Sequence, residues 1–457
     1  MPVERRDAGK VESVNDKDTE GKSAAVPKGA KQAEEAQDRW SWVERSIWSP
    51  RMLQTLEKGV EGGKWYSLID KVWKGANLSA AWVRTLVNRG SAGIDGQSIQ
   101  QFTAQMGKEM DKLQGELMDG SYEPKAVRRC WIAKMGSKEK RPLGIPVVRD
   151  RIVQGAIRNV MEPIFEQVFA EHSYGFRPGR GCKDALRRVD RLLGEGKVWV
   201  VDLDFKAYFD TIPHDKLMAR VEELISDGRL LELLWKYLKA GVMDGLKGWE
   251  PTEQGTPQGA VISPLLANLY LNPLDHLMAA LGYEMTRYAD DLVVQCRSKA
   301  EAEEALERIK QWAKENGLTV HPTKTRIVDA NEKGGFDFLG YHFERGLKWP
   351  RQKSMDKFKD TIRNKTRRTQ GKSMEEVLTS LTPTLRGWFE YFQHSHWTTF
   401  EKVDQWIRGR LRSILRKHQG KRGRGRGSDH QKWPNVYFDK LGYFSLVKAR
   451  SLALQSQ

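Results

Sequence analysis

A chain of 457 residues exceeds one ordinary hydrophobic core, and its hydrophobic content of 39% is enough to build two or three domains. The formal charge of +17 points to a polyanionic partner, either nucleic acid or an acidic membrane surface. That charge is local: from residue 351 onward 24 Lys and Arg stand against 9 Asp and Glu, a net of +15, which leaves +2 for everything before.

Residues 1–39 mix Lys, Glu and Asp without an apolar segment, a composition that predicts a disordered tail and excludes a signal peptide. Aromatic and apolar residues recur from Trp40. Residues 50–120 have helical patterning with a glycine-rich interruption at 90–96, followed by an expected strand at 127–131 and a helix over 153–169. Cys130, Cys182 and Cys296 form no C-x-x-C pair, so neither a structural zinc site nor a disulfide framework is expected, and a reducing, bacterial-type cytosol fits.

Residues 198–201 read as a buried strand leading into Asp202 and Asp204, with a helix predicted over 214–225. The uncharged run 254–274 approaches the length of a membrane span. It contains Gln254, Pro257, Gln258, Pro264, Asn268 and Asn272, which exclude a transmembrane helix. Within it begins a helix expected over 264–281. The tetrapeptide 288–291, Tyr-Ala-Asp-Asp, lies between apolar runs and predicts a β-hairpin with Asp290 and Asp291 at its tip. Ala302, Ala305, Leu306, Ile309, Trp312 and Ala313 then form one helical stripe that Gly317 would cap, and a last strand is expected at 325–328. Strand, helices, hairpin, helix, strand is the order of a ferredoxin-like split βαβ sheet.

Beyond residue 351 the pattern is helical and basic. Phe400, Val403, Ile407, Leu411 and Ile414 share one helical face, whereas Arg408, Arg412, Arg416 and Lys417 fall elsewhere and are expected to be free for nucleic acid. The run 421–427, with Lys421, Arg422, Arg424 and Arg426, reads as a flexible cationic linker before a small ordered tail at 433–444. Trp388, Phe389, Tyr391, Phe392, Trp397 and Trp406 interleave with the cations. Several lie at helical spacing, which favours core packing over stacking on bases.

Two adjacent carboxylates repel each other, and a cation between them relieves that repulsion, although Asp is also a common turn residue. A phosphoryl-transfer metal site needs carboxylates from separate elements. Asp204, at the end of a strand expected beside the hairpin, would supply one.

Over nearly all of residues 50–450 the chain resembles a reverse transcriptase of the group II intron type. The resemblance rests on RPLGIP (141–146) with Asp150 and Arg151, SYGFRPGRG (173–181), DFKAYFD (204–210), GTPQGAVISPLLANLYL (255–271), RYADD (287–291), Lys324 with Thr325, and FLGY (338–341). Each motif is short, and their joint order carries the match. It implies a right-hand polymerase of α/β (α+β) class: helical and β fingers at 40–196, a ferredoxin-like split βαβ palm at 197–350, an all-helical basic thumb or maturase domain at 351–420, and a nucleic-acid-binding tail at 421–457.

The resemblance further implies that Asp204, Asp290 and Asp291 hold two Mg²⁺ ions, with the Phe205 carbonyl as an extra ligand. Phe209 would crowd a ribose 2′-OH and select deoxynucleoside triphosphates; otherwise it is an ordinary core Phe. Gln258 would touch the incoming nucleotide or template, Lys134 and Arg141 would hold the triphosphate, and Lys324 matches the lysine suspected of protonating pyrophosphate. The implied partners are structured intron RNA, an RNA template with a DNA primer, and target DNA, with no membrane and either a monomer or a homodimer. The chain has neither the cysteine pairs nor the length for the family's DNA-endonuclease domain and so resembles its compact class. Two other readings remain open: a domesticated reverse transcriptase in phage defence or DNA repair, and an RNA-binding splicing cofactor without polymerase activity, which the repelling acids argue against.

Overall fold

The computed structural model describes residues 39–60, 62–133, 140–245 and 247–455; residues 1–38 of the tail expected at 1–39, and Lys134, lie outside them. The elements belong to one compact unit, Glu44–Gln457. Its strands are β1 (Val127–Ala133), β2 (Lys140–Ile145), β3 (Trp199–Asp204), β4 (Val242–Asp244), β5 (Gly248–Glu250), β6 (Glu284–Tyr288), β7 (Asp291–Cys296), β8 (Arg326–Asp329), β9 (Phe336–Phe338), β10 (Tyr341–Glu344) and β11 (Leu347–Pro350). Among the described residues no helix is long and apolar enough to cross a membrane.

The central sheet has the order β6-β7-β3-β8 with antiparallel neighbours, the ferredoxin-like arrangement expected from the element order. Successive strand side chains point to opposite faces, and Val200 and Val201 are both fully buried, so β3 is covered on both sides. The helices are Ser263–Ala280 and Lys299–Glu315, close to the predicted bounds; Gly317 takes a φ of 72° just past the second, as its capping role requires. The helix expected over 214–225 ends at Glu222.

The strand expected at 127–131 is β1 and lies in a second sheet, whose other strands, like a third sheet, were not read from the sequence. β4 pairs parallel with β1 and antiparallel with β5, giving β2-β1-β4-β5, and β9, β10 and β11 form an antiparallel meander. Strands of three or four residues contain too little alternation to be read from sequence.

The meander joins the central sheet to the C-terminal helices Gln352–Lys365, Met374–Phe392 and Thr398–His418. One buried cluster runs from Val200 and Val293 through Phe336 and Phe343 to Leu385, Phe400 and Ile407. Trp388, Phe389 and Phe392 belong to it, as helical spacing predicted, whereas Trp397 is exposed. Tyr341 donates its hydroxyl to the Tyr391 carbonyl and Tyr391 returns one to the Leu339 carbonyl, both at 2.6 Å. The C-terminal part therefore has no core of its own.

Helix Val148–Glu166 is buried along almost its whole length and carries Asp150 into the interior, where it accepts the Tyr122 hydroxyl and the Lys125 N–H. Burial pushes the Asp150 carboxyl up to about 6. A carboxyl raised in the folded state binds its proton more readily there than in the unfolded chain, so stability falls as pH climbs from about 4 to about 6. Asp150→Asn cannot ionise and is expected to gain melting temperature relative to the native chain over that interval. A difference that stays flat in thermal scans from about pH 4 to 7 would refute this account.

Candidate active site

β3 ends at Asp204, and its register with β7 sets Asp204 directly opposite Asp291. Tyr288 pairs with Asp291 across the β6–β7 hairpin, which leaves Ala289 and Asp290 as its tip. Ala289 adopts φ 58°, the left-handed conformation that tight hairpins favour. Three carboxylates thus converge from two strands.

Their electrostatics record the crowding. Burial, reinforced by the charges of Asp202 and Asp290, pushes Asp291 up to about 7. Burial also raises Asp290, with the Asp204 charge adding to it, and raises Asp202. Two cations offset this: Lys324 Nζ donates to Asp204 Oδ2, and Arg326 Nε donates to Asp202 Oδ2 at 3.1 Å.

Among the described residues no three acidic, His or Cys side chains close a metal cage by themselves. A hard divalent ion such as Mg²⁺ does not require one, since it commonly binds through one or two carboxylates, water and substrate phosphates. Burial, with mutual repulsion adding to it, raises Asp290 and Asp291, and a divalent charge offsets both, so these residues fit such an ion. Phe205 is buried just beyond Asp204, its backbone bridged to Val320.

The tip is held from beneath by a residue that the sequence reading passed over. Arg287 is 0% exposed. It donates from Nε to Asp275 at 2.7 Å and from one terminal nitrogen to Asn268 Oδ1 at 2.9 Å and the Ala289 carbonyl at 3.0 Å. Asn268 Nδ2 donates in turn to the Gly175 carbonyl at 2.6 Å. Gly175 packs so closely on the tip that a Cβ there would lie 2.4 Å from the Ala289 nitrogen. The available signal was the polar stripe Asn268, Asn272 and Asp275 at i, i+4 and i+7 of an otherwise apolar helix, which demands a buried partner.

Of the residues expected at the nucleotide, Gln258 and Arg141 are in contact, and Phe209 is tied to Thr256, two residues before Gln258. Phe209 is 9% exposed, and its carbonyl accepts the Thr256 N–H at 2.7 Å. Arg141 Nε donates to Gln258 Oε1 at 2.7 Å, and the Gly144 N–H donates to the Gln258 carbonyl at 2.7 Å. Gly259, at φ 108°, permits this approach, because a Cβ there would sit 2.5 Å from the Gly144 carbonyl oxygen. Lys324 is placed on Asp204.

The free basic face expected on helix Thr398–His418 is corrected by the structure. Arg408 and Arg412 are 8% and 4% exposed, packed under the C-terminal segment. Arg408 reaches Asp439 at 3.3 Å and covers the Tyr443 ring; Arg412 donates to the Trp433 carbonyl at 2.9 Å and covers the Phe438 ring. Arg416 pairs with Asp429 at 2.7 Å. The physical reason is that the tail folds back over this face, and guanidinium groups serve its carbonyls, carboxylates and aromatic rings at once. Lys417, Lys421, Arg422, Arg424 and Arg426 are exposed. The run 421–427 is tied rather than free, since its carbonyls at Arg422 and Gly423 accept from Arg416 and Arg368.

Arg287→Met would leave Asp275 buried and unpaired, and removing one partner of such a pair costs about 3–5 kcal/mol. Urea unfolding is expected to show that loss, and adding Asp275→Leu should restore part of it. A single variant as stable as the native chain would remove Arg287 from this role.

The family described as reverse transcriptase (RNA-dependent DNA polymerase) matches residues 132–343, and the one described as group II intron, maturase-specific domain matches residues 355–433. The chain is 37% identical over 305 residues to Protein YkfC of Escherichia coli (strain K12), covering 57% of this chain and 78% of that protein. It is 41% identical over 186 residues to Group II intron-encoded protein LtrA of Lactococcus lactis subsp. cremoris, covering 41% of this chain and 31% of LtrA. An uncharacterized 91 kDa protein in cob intron of Schizosaccharomyces pombe is 33% identical over 296 residues, covering 52% of this chain and 35% of that protein. The matched region thus spans only about a third of the latter two relatives. With both matched regions in sequence order and most of one relative's length covered, the chain belongs to the group II intron family of reverse transcriptases.

Proposed function

We propose that the chain is an RNA-directed DNA polymerase in which Asp204, Asp290 and Asp291 bind two Mg²⁺ ions, and that it also binds its intron RNA as a maturase. The observation that carries the catalytic reading is the register of Asp204 opposite Asp291 with Asp290 at the adjoining tip. Bound there, divalent ions supply the positive charge that stabilises the attacking 3′-oxygen of a primer and the departing oxygen of pyrophosphate.

The chain's own residues orient the reactants. Arg141 offsets the triphosphate charge with a guanidinium whose Nε is held by Gln258, so little reorganisation is needed. Phe209, fixed through its carbonyl to Thr256, presents a wall to the sugar and favours deoxynucleotides over ribonucleotides. Lys324 holds a proton beside Asp204 and passes it to the leaving pyrophosphate. Partners on this reading are structured intron RNA, an RNA template paired with a DNA primer, and a DNA target for the copy.

Exposed Lys417, Lys421, Arg422, Arg424 and Arg426 support a phosphate-binding surface on the C-terminal part. Reversing Lys421, Arg422, Arg424 and Arg426 to Glu is expected to lower RNA affinity and flatten its salt dependence by roughly one unit of log–log slope per lost phosphate contact. Unchanged affinity and slope in filter binding from low to high salt would remove that surface. Asp290→Ala is expected to abolish primer extension on an RNA template with RNA binding intact, and substantial extension by that variant would overturn the catalytic assignment.

A further inference from the structure

Little hydrophobic burial holds the β4–β5 hairpin in place. Of the residues in its two strands only Asp244 is buried, while Trp249 is 55% exposed. Its ladder to β1 consists of Val127 with Val242 and Arg128 with Met243. So short a hairpin with so little apolar cover is not stable alone, and a buried carboxylate needs a cation.

Arg129 supplies that cation. It follows the ladder in β1, where its Nη1 lies 3.6 Å from Asp244 Oδ2 and donates to Glu250 Oε2 at 2.8 Å. One guanidinium thus fastens both strands of the hairpin to β1.

The consequence for the site lies further along the chain. From Glu250 the backbone runs through the segment 252–258 to Gln258, whose Oε1 accepts from Arg141 Nε at 2.7 Å. Arg141 stands in β2 opposite Ile132 of β1. Arg129, Glu250, Gln258 and Arg141 therefore close a circuit that begins and ends on β1.

Packing beneath the segment does not replace the Arg129 link. Arg129, Asp210, Thr252, Thr256 and Gln258 line a cavity of about 320 Å³. Among the described residues the Thr252 and Thr256 hydroxyls have no hydrogen-bond partner, although Thr256 is 2% exposed. A segment set over a cavity forgoes the contacts of a close-packed wall, so its attachments fix it. One attachment is the pair of bonds from Gly255 N–H to the Ile212 carbonyl and from Thr256 N–H to the Phe209 carbonyl, both at 2.7 Å. The other is Glu250 on Arg129.

We propose that Arg129 is a positioning residue for the incoming deoxynucleotide, clamping Asp244 and Glu250 so that the segment 252–258 holds Gln258 at a fixed separation from Phe209. This rests on the polymerase reading above and gives Arg129 no contact with the nucleotide itself.

The test compares Arg129→Gln, Glu250→Gln and the double variant with the native full-length chain, extending a DNA primer on an RNA template. Each single change opens the circuit from one side, so each should raise KM for deoxynucleotide by about fivefold and lower the preference for deoxynucleotide over ribonucleotide by a similar factor. Neither quantity depends on the fraction of chain that is folded, so a general loss of stability leaves both unmoved. The double variant should equal the singles, because the link can be broken only once. The proposal is overturned if KM and sugar preference stay native in either single variant, or if the two effects multiply in the double. It is equally overturned if Glu250→Gln lowers KM while Arg129→Gln raises it, which marks a guanidinium acting on the triphosphate directly. Hydrogen exchange needs no turnover: amides of 248–258 should exchange faster in both single variants, while those of 284–296 keep their native rate. Faster exchange throughout the chain, or no change, would overturn the clamp. A native chain that never extends primers, combined with exchange at 248–258 that still depends on the pair, would sink the polymerase reading and leave the clamp standing.

Discussion

A guanidinium with no access to water must find its partners inside the protein, and Arg287 is in that position. Asp275 meets its charge, and further donors reach Asn268 and the Ala289 carbonyl. Because that carbonyl belongs to the hairpin tip, the ion pair sets where Asp290 and Asp291 project. A planar guanidinium fixes those directions better than an ammonium would. Arg287 thus joins the helix Ser263–Ala280 to the β6–β7 hairpin, and Asn268 extends the link to the segment before Phe176.

The constraint is needed because the acids oppose it. Asp202, Asp204, Asp290 and Asp291 crowd a half-buried patch, and burial with mutual repulsion raises three of them. Without a rigid support the hairpin would relax by separating them. Close backbone approaches supply the rest of that support: a Cβ at Gly175, Gly255 or Gly259 would collide with the backbone at Ala289, Asp210 or Gly144. Gly175 seats against the tip, while Gly255 and Gly259 bring the segment after β3 and β2 against the 255–259 turn.

The basic C-terminal quarter divides its charge between two tasks. Arg408, Arg412 and Arg416 hold the final segment, whereas the exposed cations from Lys417 to Arg426 remain available to phosphate. Asp404 makes the same point with the opposite sign. Buried in helix Thr398–His418, it accepts from Tyr443, Ser445 and the first N–H groups of helix Leu446–Gln455, capping that helix from a distance. The hydrophobic cluster that this region shares with β3 and β7 couples its packing to the sheet that presents the acids.

Much of the fold was legible because the relevant patterns are local. Short apolar runs marked β3 and the hairpin, a helical stripe marked Lys299–Glu315, and acids at strand ends marked the candidate site. Lys134 was also named from sequence, but it falls outside the described residues. The β4–β5 pair, the meander and the partners of the buried arginines were not legible, because a three-residue strand or a lone cation is compatible with many distant partners. The sequence by itself determined which residues could do chemistry, since carboxylates, cations and their order are properties of the chain. Only the tertiary structure decided that Asp204 faces Asp291, that Arg287 supports the tip and that Arg412 is packed rather than free, because each depends on a long-range pairing whose energy arises only when distant segments are brought into contact.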